Sequence, residues 1–243
     1  MKNKLINKIE SYDNLDLQTK KAETDGDIMD IAAKDVVTAP QSSSIIEIAN
    51  LMSKNDFRRI PITDPGSGKL LGIVTTMDIL DFFGGGKKYN IITDKHKGNF
   101  LSAINAPIKE IMTVGVKTMT NTDTIVDTTT LMLEEGIGGL PIINNDEKIV
   151  GIVTEGDIVK KLGKLCADLE VQDIMATNVI TTTPGTPIEG IAKIMVRNSL
   201  RRVPIVGEDQ ESQSKEEKLL GFVTASDILK YIGDHKLFAK LFS

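Results

Sequence analysis

A chain of 243 residues holds one large domain or two ordinary ones. With 40 % hydrophobic and 26 % charged residues and no Trp, its composition suits a globular protein with an aliphatic core. A formal charge of −5 gives no general attraction to nucleic acid or anionic membrane, so any anion site must be built locally from cationic side chains.

Residues 1–26 are polar and densely charged, and they lack the apolar stretch of a secretory signal. No apolar run reaches the roughly 18–20 residues of a membrane helix. The lone Cys166 excludes an intramolecular disulfide and reads as a small buried residue on a helix. These features lead us to expect a soluble, cytoplasmic protein.

From Asp27 onward one unit recurs three times, over 27–83, 109–163 and 171–233. In the first copy, "DIMDIAAKDVVTAP" is a short lead-in turn and strand. "SSSIIEIANLMSKND" follows, with Ile45, Ile46, Ile48, Leu51 and Met52 at helical spacing. "FRRIPITD" and "KLLGIVTT" are β-rich strands around a turn, and "MDILDFF" opens a second helix. The linker 84–108 leads to the second copy, which contains "GLPII", "GIVTEGDIV" and Gly138-Gly139 where the first has Arg58-Arg59. The third repeats the pattern with "RRVPIVG" and "GFVTASDIL", its strands joined by the long acidic loop "GEDQESQSKEE". Each unit therefore reads β-α-β-β-α. Three short strands and two helices bury too little alone, so the units should work in pairs.

This order, with the "IM" lead-in, the apolar-Pro strand and the closing Gly-φ-Val-Thr-x-x-Asp, resembles the CBS domain, whose repeats pair sheet to sheet into Bateman modules. The fold class implied is α+β. More narrowly, "GGGKKYN" and the Arg-Arg pairs resemble archaeal multi-CBS proteins related to the gamma subunit of AMP-activated protein kinase, which carry four repeats. Residues 234–243 look like the start of a linker to a further repeat. The resemblance thus implies that the third unit pairs with a fourth repeat or with a second copy in a homodimer. Otherwise an apolar sheet face lies open.

Each unit turns from strand to helix at an acid: Asp78, Asp157 and Asp227. A carboxylate there can accept both hydroxyls of a ribose diol. Thr75, Thr154 and Thr224 three residues earlier, with Ser226 and the helix N–H groups, can hold phosphate. The same Thr-x-x-Asp spacing also suits a helix cap, and the two roles are compatible. Arg58, Arg59, Arg201 and Arg202 suit phosphate in an otherwise acidic chain. The second repeat has no arginine pair, which makes its own site the doubtful one. By resemblance alone, Thr38, Ala39, Thr118, Met119, Thr182 and Thr183 would border adenine.

"DFFGGGKKYN" lacks the first Gly and the Ser/Thr of a phosphate-binding loop, so its glycines read as a helix end and Lys87 and Lys88 as solvated or near phosphate. His96 and His235 have no companion ligands and read as structural or surface residues. No nucleophile-base or paired-carboxylate arrangement is present, and no metal or prosthetic group is expected. The expectation is a non-catalytic regulator binding AMP, ADP or ATP and signalling to an unknown partner. S-adenosylmethionine or methylthioadenosine is the alternative ligand, and a ligand-free scaffold the alternative role.

Overall fold

Three copies of the same local chemistry give three copies of the same element order in the computed structural model, which describes residues 27–162, 172, 175–208 and 217–233. The first repeat comprises β1 (Ala39–Pro40), α1 (Ile45–Asn55), β2 (Arg59–Thr63), β3 (Leu70–Thr75) and α2 (Thr76–Phe83). Short helices α3 (Asn90–Asp94) and α4 (Phe100–Ile104) fill the linker. The second repeat has β4 (Met119–Thr120), α5 (Ile125–Glu135), β5 (Gly139–Ile143), β6 (Ile149–Thr154) and α6 (Glu155–Leu162). The third has α7 (Ile188–Asn198), β7 (Arg202–Glu208), β8 (Glu217–Thr224) and α8 (Ala225–Gly233), with Thr182 bridging Ile205 where a first strand would lie.

Helix starts follow the capping chemistry of the sequence. Ser44 and Thr124 accept from the third residue of α1 and α5, while Glu47 and Asp127 reach back to the cap N–H. The ends of α1, α5 and α7 all need a left-handed residue; Gly136 supplies it at φ +65°, and Asp56 and Ser199 adopt the same conformation at 58° and 55°. In the sheets, β1 runs parallel to β2, and β2 antiparallel to β3. Because β1 pairs only with Ile62 and Thr63, that edge of β2 is open beside Pro61, where proline has no N–H to offer. The register repeats as well: Ile62 faces Gly72, Ile142 faces Gly151 and Ile205 faces Gly221, each followed by a bulge.

The first two repeats pair by exchanging lead-ins. Ala33 exchanges two 3.0 Å backbone hydrogen bonds with Ile152 on β6. Thr113 does the same with Ile73 on β3, at 2.8 and 2.9 Å. Ile28 and Met29 are thereby buried in the core of the second repeat, and Ile108 and Ile111 in that of the first. Each lead-in closes its partner's core rather than its own.

The third repeat joins by its helices. Ile191, Ala192, Met195, Ile228, Leu229 and Ile232 from α7 and α8 share one buried cluster with Ile48, Met52, Ile79 and Phe82 of the first repeat. Gly84 permits the close approach of α7, since a Cβ there would lie 2.7 Å from the Ala192 Cβ. The sheet of the third repeat has no sheet against it among the described residues: Leu219, Leu220 and Phe222 are 52 %, 53 % and 57 % exposed.

No helix among the described residues is long and apolar enough to cross a membrane. The acidic loop 209–216, Cys166 and His235 lie outside the described residues.

Candidate functional site

Arg58 and Arg59 stand at the start of β2, Gly138 and Gly139 at the start of β5, and Arg201 just before β7. Folding brings these three strand starts together around a cavity of about 390 Å³. Its other walls are Val36 and Val37 from the first lead-in and Thr154, Glu155 and Gly156 from the end of β6 and the start of α6.

Arg59 is half-buried, and its Nη1 donates to the Gly138 carbonyl at 2.7 Å. The space it occupies exists because position 139 has no side chain: a Cβ there would lie 1.1 Å from Arg59 Nη1. A Cβ on Gly138 would likewise come within 2.7 Å of Glu155 Oε2 and 2.9 Å of Arg201 Nη1. The glycine pair is therefore the socket for arginines from other repeats. Burial and the neighbouring Arg201 guanidinium push the Arg59 pKa below its ordinary value, with Arg58 adding to the effect; Glu155 and Asp157 act the other way. Arg201 Nη1 meets Glu155 Oε2 at 3.3 Å in an exposed pair. The guanidinium groups of Arg58, Arg59 and Arg201 cluster here and repel one another, while Glu155 and Asp157 act on Arg59. Asp35 and Asp56 stand on the same wall, with Asp56 paired to Lys230 at 3.4 Å, so an anionic ligand would be drawn to the arginine cluster rather than to the wall as a whole.

The carboxylates at the three turns share one geometry. Asp157 Oδ2 accepts from Thr154 N at 3.0 Å and Thr154 Oγ1 at 2.6 Å. Asp227 Oδ2 accepts from Thr224 N and Oγ1 at 2.9 and 2.7 Å, and these bonds hold its pKa below the usual carboxylate value. Asp78 Oδ2 accepts from Thr75 N and Oγ1, each at 2.7 Å. Each Thr hydroxyl thus gives its single proton to the acid of its own turn. Asp157 Oδ1 has no partner among the described residues. Asp78 Oδ1, by contrast, is bound by the Lys88 ammonium.

The candidates separate accordingly. Arg58, Arg59, Arg201 and Thr154 line one cavity, and Asp157 lies within electrostatic reach of Arg59. Asp78 and Thr75 belong to the opposite turn. Arg202, Thr224, Ser226 and Asp227 lie on the third repeat, with Arg202 registered across from Thr224 and absent from the cavity wall. Ala39 and Met119 are buried and pair with Ile62 and Ile142, so only their backbones could face a ligand. Thr38 and Thr118 directly precede them. The Thr182 N–H is spent on Pro204 O and its hydroxyl on Thr186, while the Thr183 carbonyl accepts from Thr186 N.

The single-repeat reading made the second repeat's turn the doubtful one. The structure instead gathers the arginines beside it, because they arrive from the first and third repeats. It also adds Ala33, Asp35, Val36 and Val37 to the wall; only the lead-in exchange brings them there. His96 is structural, contacting Ser102 Oγ at 3.1 Å and Glu110 Oε2 at 3.3 Å. No cluster of three or more metal-ligating side chains occurs among the described residues.

The CBS domain matches residues 28–85, 108–164 and 171–234. Protein MJ1225 of Methanocaldococcus jannaschii is 37 % identical over 208 residues, covering 85 % of this chain and 71 % of its own. Its crystal structure, described as that of a proposed archaeal homologue of g-AMPK, superposes with a TM-score of 0.79 over 88 % of this chain and 75 % of that one. The chain spans 66–71 % of the length of the two curated relatives it matches over 85 % of its own. The CBS domain pair of protein MJ0100, solved with 5′-methylthioadenosine and S-adenosyl-L-methionine, is 29 % identical over 56 % of this chain and superposes with a TM-score of 0.45. Homoserine O-acetyltransferase of Methanosalsum zhilinae is 32 % identical over 139 residues, 57 % of this chain and 26 % of the enzyme.

Proposed function

The chain belongs to the CBS domain family, and on that footing we propose that it is a non-catalytic regulatory protein that senses adenine nucleotides in the cytoplasm. In this reading AMP, ADP or ATP enters the cavity between the first and second repeats. Asp157 Oδ1 accepts from the ribose diol, Arg58, Arg59 and Arg201 neutralise the phosphate, and the stretch from Ala33 to Thr38 and the backbone of Ala39 borders the base. One observation carries this: three guanidinium groups from two repeats converge on a cavity of about 390 Å³, and Asp157, within electrostatic reach of Arg59, has a carboxylate oxygen with no partner among the described residues. That volume lies within the range of roughly 300–1,000 Å³ common for small-ligand sites.

Nucleotide contacts to both repeats would favour the closed arrangement by their differential affinity for it, and a partner would read that population. The partner is a protein of unassigned identity. The open sheet of the third repeat would pair with a fourth CBS repeat or with a second copy of this chain, and Asp227 would then face a cleft of its own.

A ligand-free scaffold is the second reading, favoured by the helix caps in which all three acids already take part. A thermal-shift titration separates the two. A ligand at a hundredfold its Kd adds about 2.7 kcal/mol per site. We expect AMP or ATP to raise Tm and S-adenosylmethionine or methylthioadenosine to do so less, for want of a phosphate. No shift with any of the four leaves the scaffold.

A further inference from the structure

Asp78 and Asp157 occupy equivalent turns of paired repeats, yet Oδ1 of the first is bound by a cation while Oδ1 of the second has no partner among the described residues. Asp78 Oδ2 takes the Thr75 N–H and hydroxyl, and Oδ1 takes the Lys88 ammonium. Lys88 Nζ also donates to the Ile111 carbonyl, at 2.6 Å. The pair is shielded, with side chains only 23 % and 13 % exposed for Lys88 and Asp78.

The chain is built to return Lys88 to this place. Gly85 takes φ +75°, and a Cβ on Gly86 would lie 1.6 Å from Asp81 Oδ1. That oxygen accepts from the Lys88 N–H at 3.4 Å, folding the 3-10 turn Lys87–Tyr89 back along α2. Ten residues beyond the turn acid, the second and third repeats carry Ala167 and Leu237, so only the first has an amine at this spacing. Arg59 is registered across from Thr75, but its guanidinium leaves the first repeat's turn and crosses to the Gly138 carbonyl.

We propose that Lys88 is an internal ligand of Asp78 that closes the first repeat's turn to nucleosides. The paired first and second repeats then present one nucleotide site, at Asp157, instead of two. A ribose diol reaching Asp78 would have to displace an ammonium that also anchors Ile111, leaving a shielded cation unpaired. The same contact ties α2 to the second repeat's lead-in, making Lys88 a strut between the repeats. The site count rests on the nucleotide reading above; the strut does not.

Equilibrium dialysis with AMP tests the count, using the wild-type chain, D78N and D157N. We expect D78N to keep the wild-type number of AMP equivalents with Kd within about twofold, and D157N to lose one equivalent. Loss of an equivalent in D78N overturns the proposal. Thermal unfolding of K88M, D78N and the double variant tests the contact itself. Each single change should lower Tm by roughly 3–8 °C, and the double should lie no lower than the worse single. Additive losses overturn the proposal. Should neither Asp variant alter AMP binding, the nucleotide reading fails, and the thermal cycle still decides whether Lys88 and Asp78 act as one unit.

Discussion

Replacing Arg59 by Met keeps the aliphatic stem and removes the charge, which makes it a discriminating perturbation of the cavity. One of the five guanidinium N–H donors is spent on the Gly138 carbonyl, and the rest are available to an anion. Hydrogen bonds to charged groups contribute about 1.5–3 kcal/mol. Losing one such interaction with phosphate should therefore weaken AMP between about tenfold and 150-fold. Adenosine has no phosphate, so its affinity should change by less than about twofold. The stability cost should be small by comparison. The variant leaves the Gly138 carbonyl without its donor, but it also removes a half-buried charge repelled by Arg201 and Arg58. Isothermal titration of both proteins with both ligands measures the difference. Equal weakening of AMP and adenosine, or no change with AMP, refutes the placement of the phosphate on Arg59.

Two further outcomes follow from the packing and the turns. Phe82 is fully buried between the first and third repeats and stacks edge-on against Phe83 at 5.1 Å, so Phe82→Ala should cost about 3–5 kcal/mol. This lowers Tm by roughly 6–20 °C, whereas Phe222→Ala on the exposed sheet should stay within about 0.5 kcal/mol; similar losses at both positions would contradict the assigned core. The Thr224 hydroxyl, then its N–H, depresses the Asp227 pKa, so the stabilisation is full above the unfolded value of about 3.9 and fades as pH falls through the lower folded value. The Tm gap between wild type and D227N should thus be about 1–2 °C near neutrality, small because the group is exposed, and should close below pH 4; a gap independent of pH would contradict the assignment.

The repeat itself was legible because each copy needs the same devices. Val74, Val153 and Val223 fill equivalent strand positions, Gly72, Gly151 and Gly221 directly follow the same bulge, and the Thr-x-x-Asp turns cap the next helix. Membership of the cavity was not legible. Periodicity places Arg59 at a strand start but cannot say that its guanidinium crosses to Gly138 of another copy. The exchange of lead-ins is equally silent in the sequence, since Ile28 and Ile108 would suit their own repeat's core as well as the partner's. Gly138-Gly139 looked like the loss of an arginine pair; only the approach of Arg59, Glu155 and Arg201 shows that it is the space those groups require. The ammonium of Lys88 escaped for a similar reason, because the triple-glycine turn that returns it to Asp78 reads in sequence only as a helix end.

The central claim, a ribose held by Asp157 in the arginine-lined cavity, is tested most directly by comparing AMP with 2′-deoxy-AMP in the wild-type chain and in D157N. The account predicts that the wild type prefers AMP by about tenfold or more, one hydrogen bond to a carboxylate, and that D157N binds both alike. An undiminished preference in D157N would contradict it.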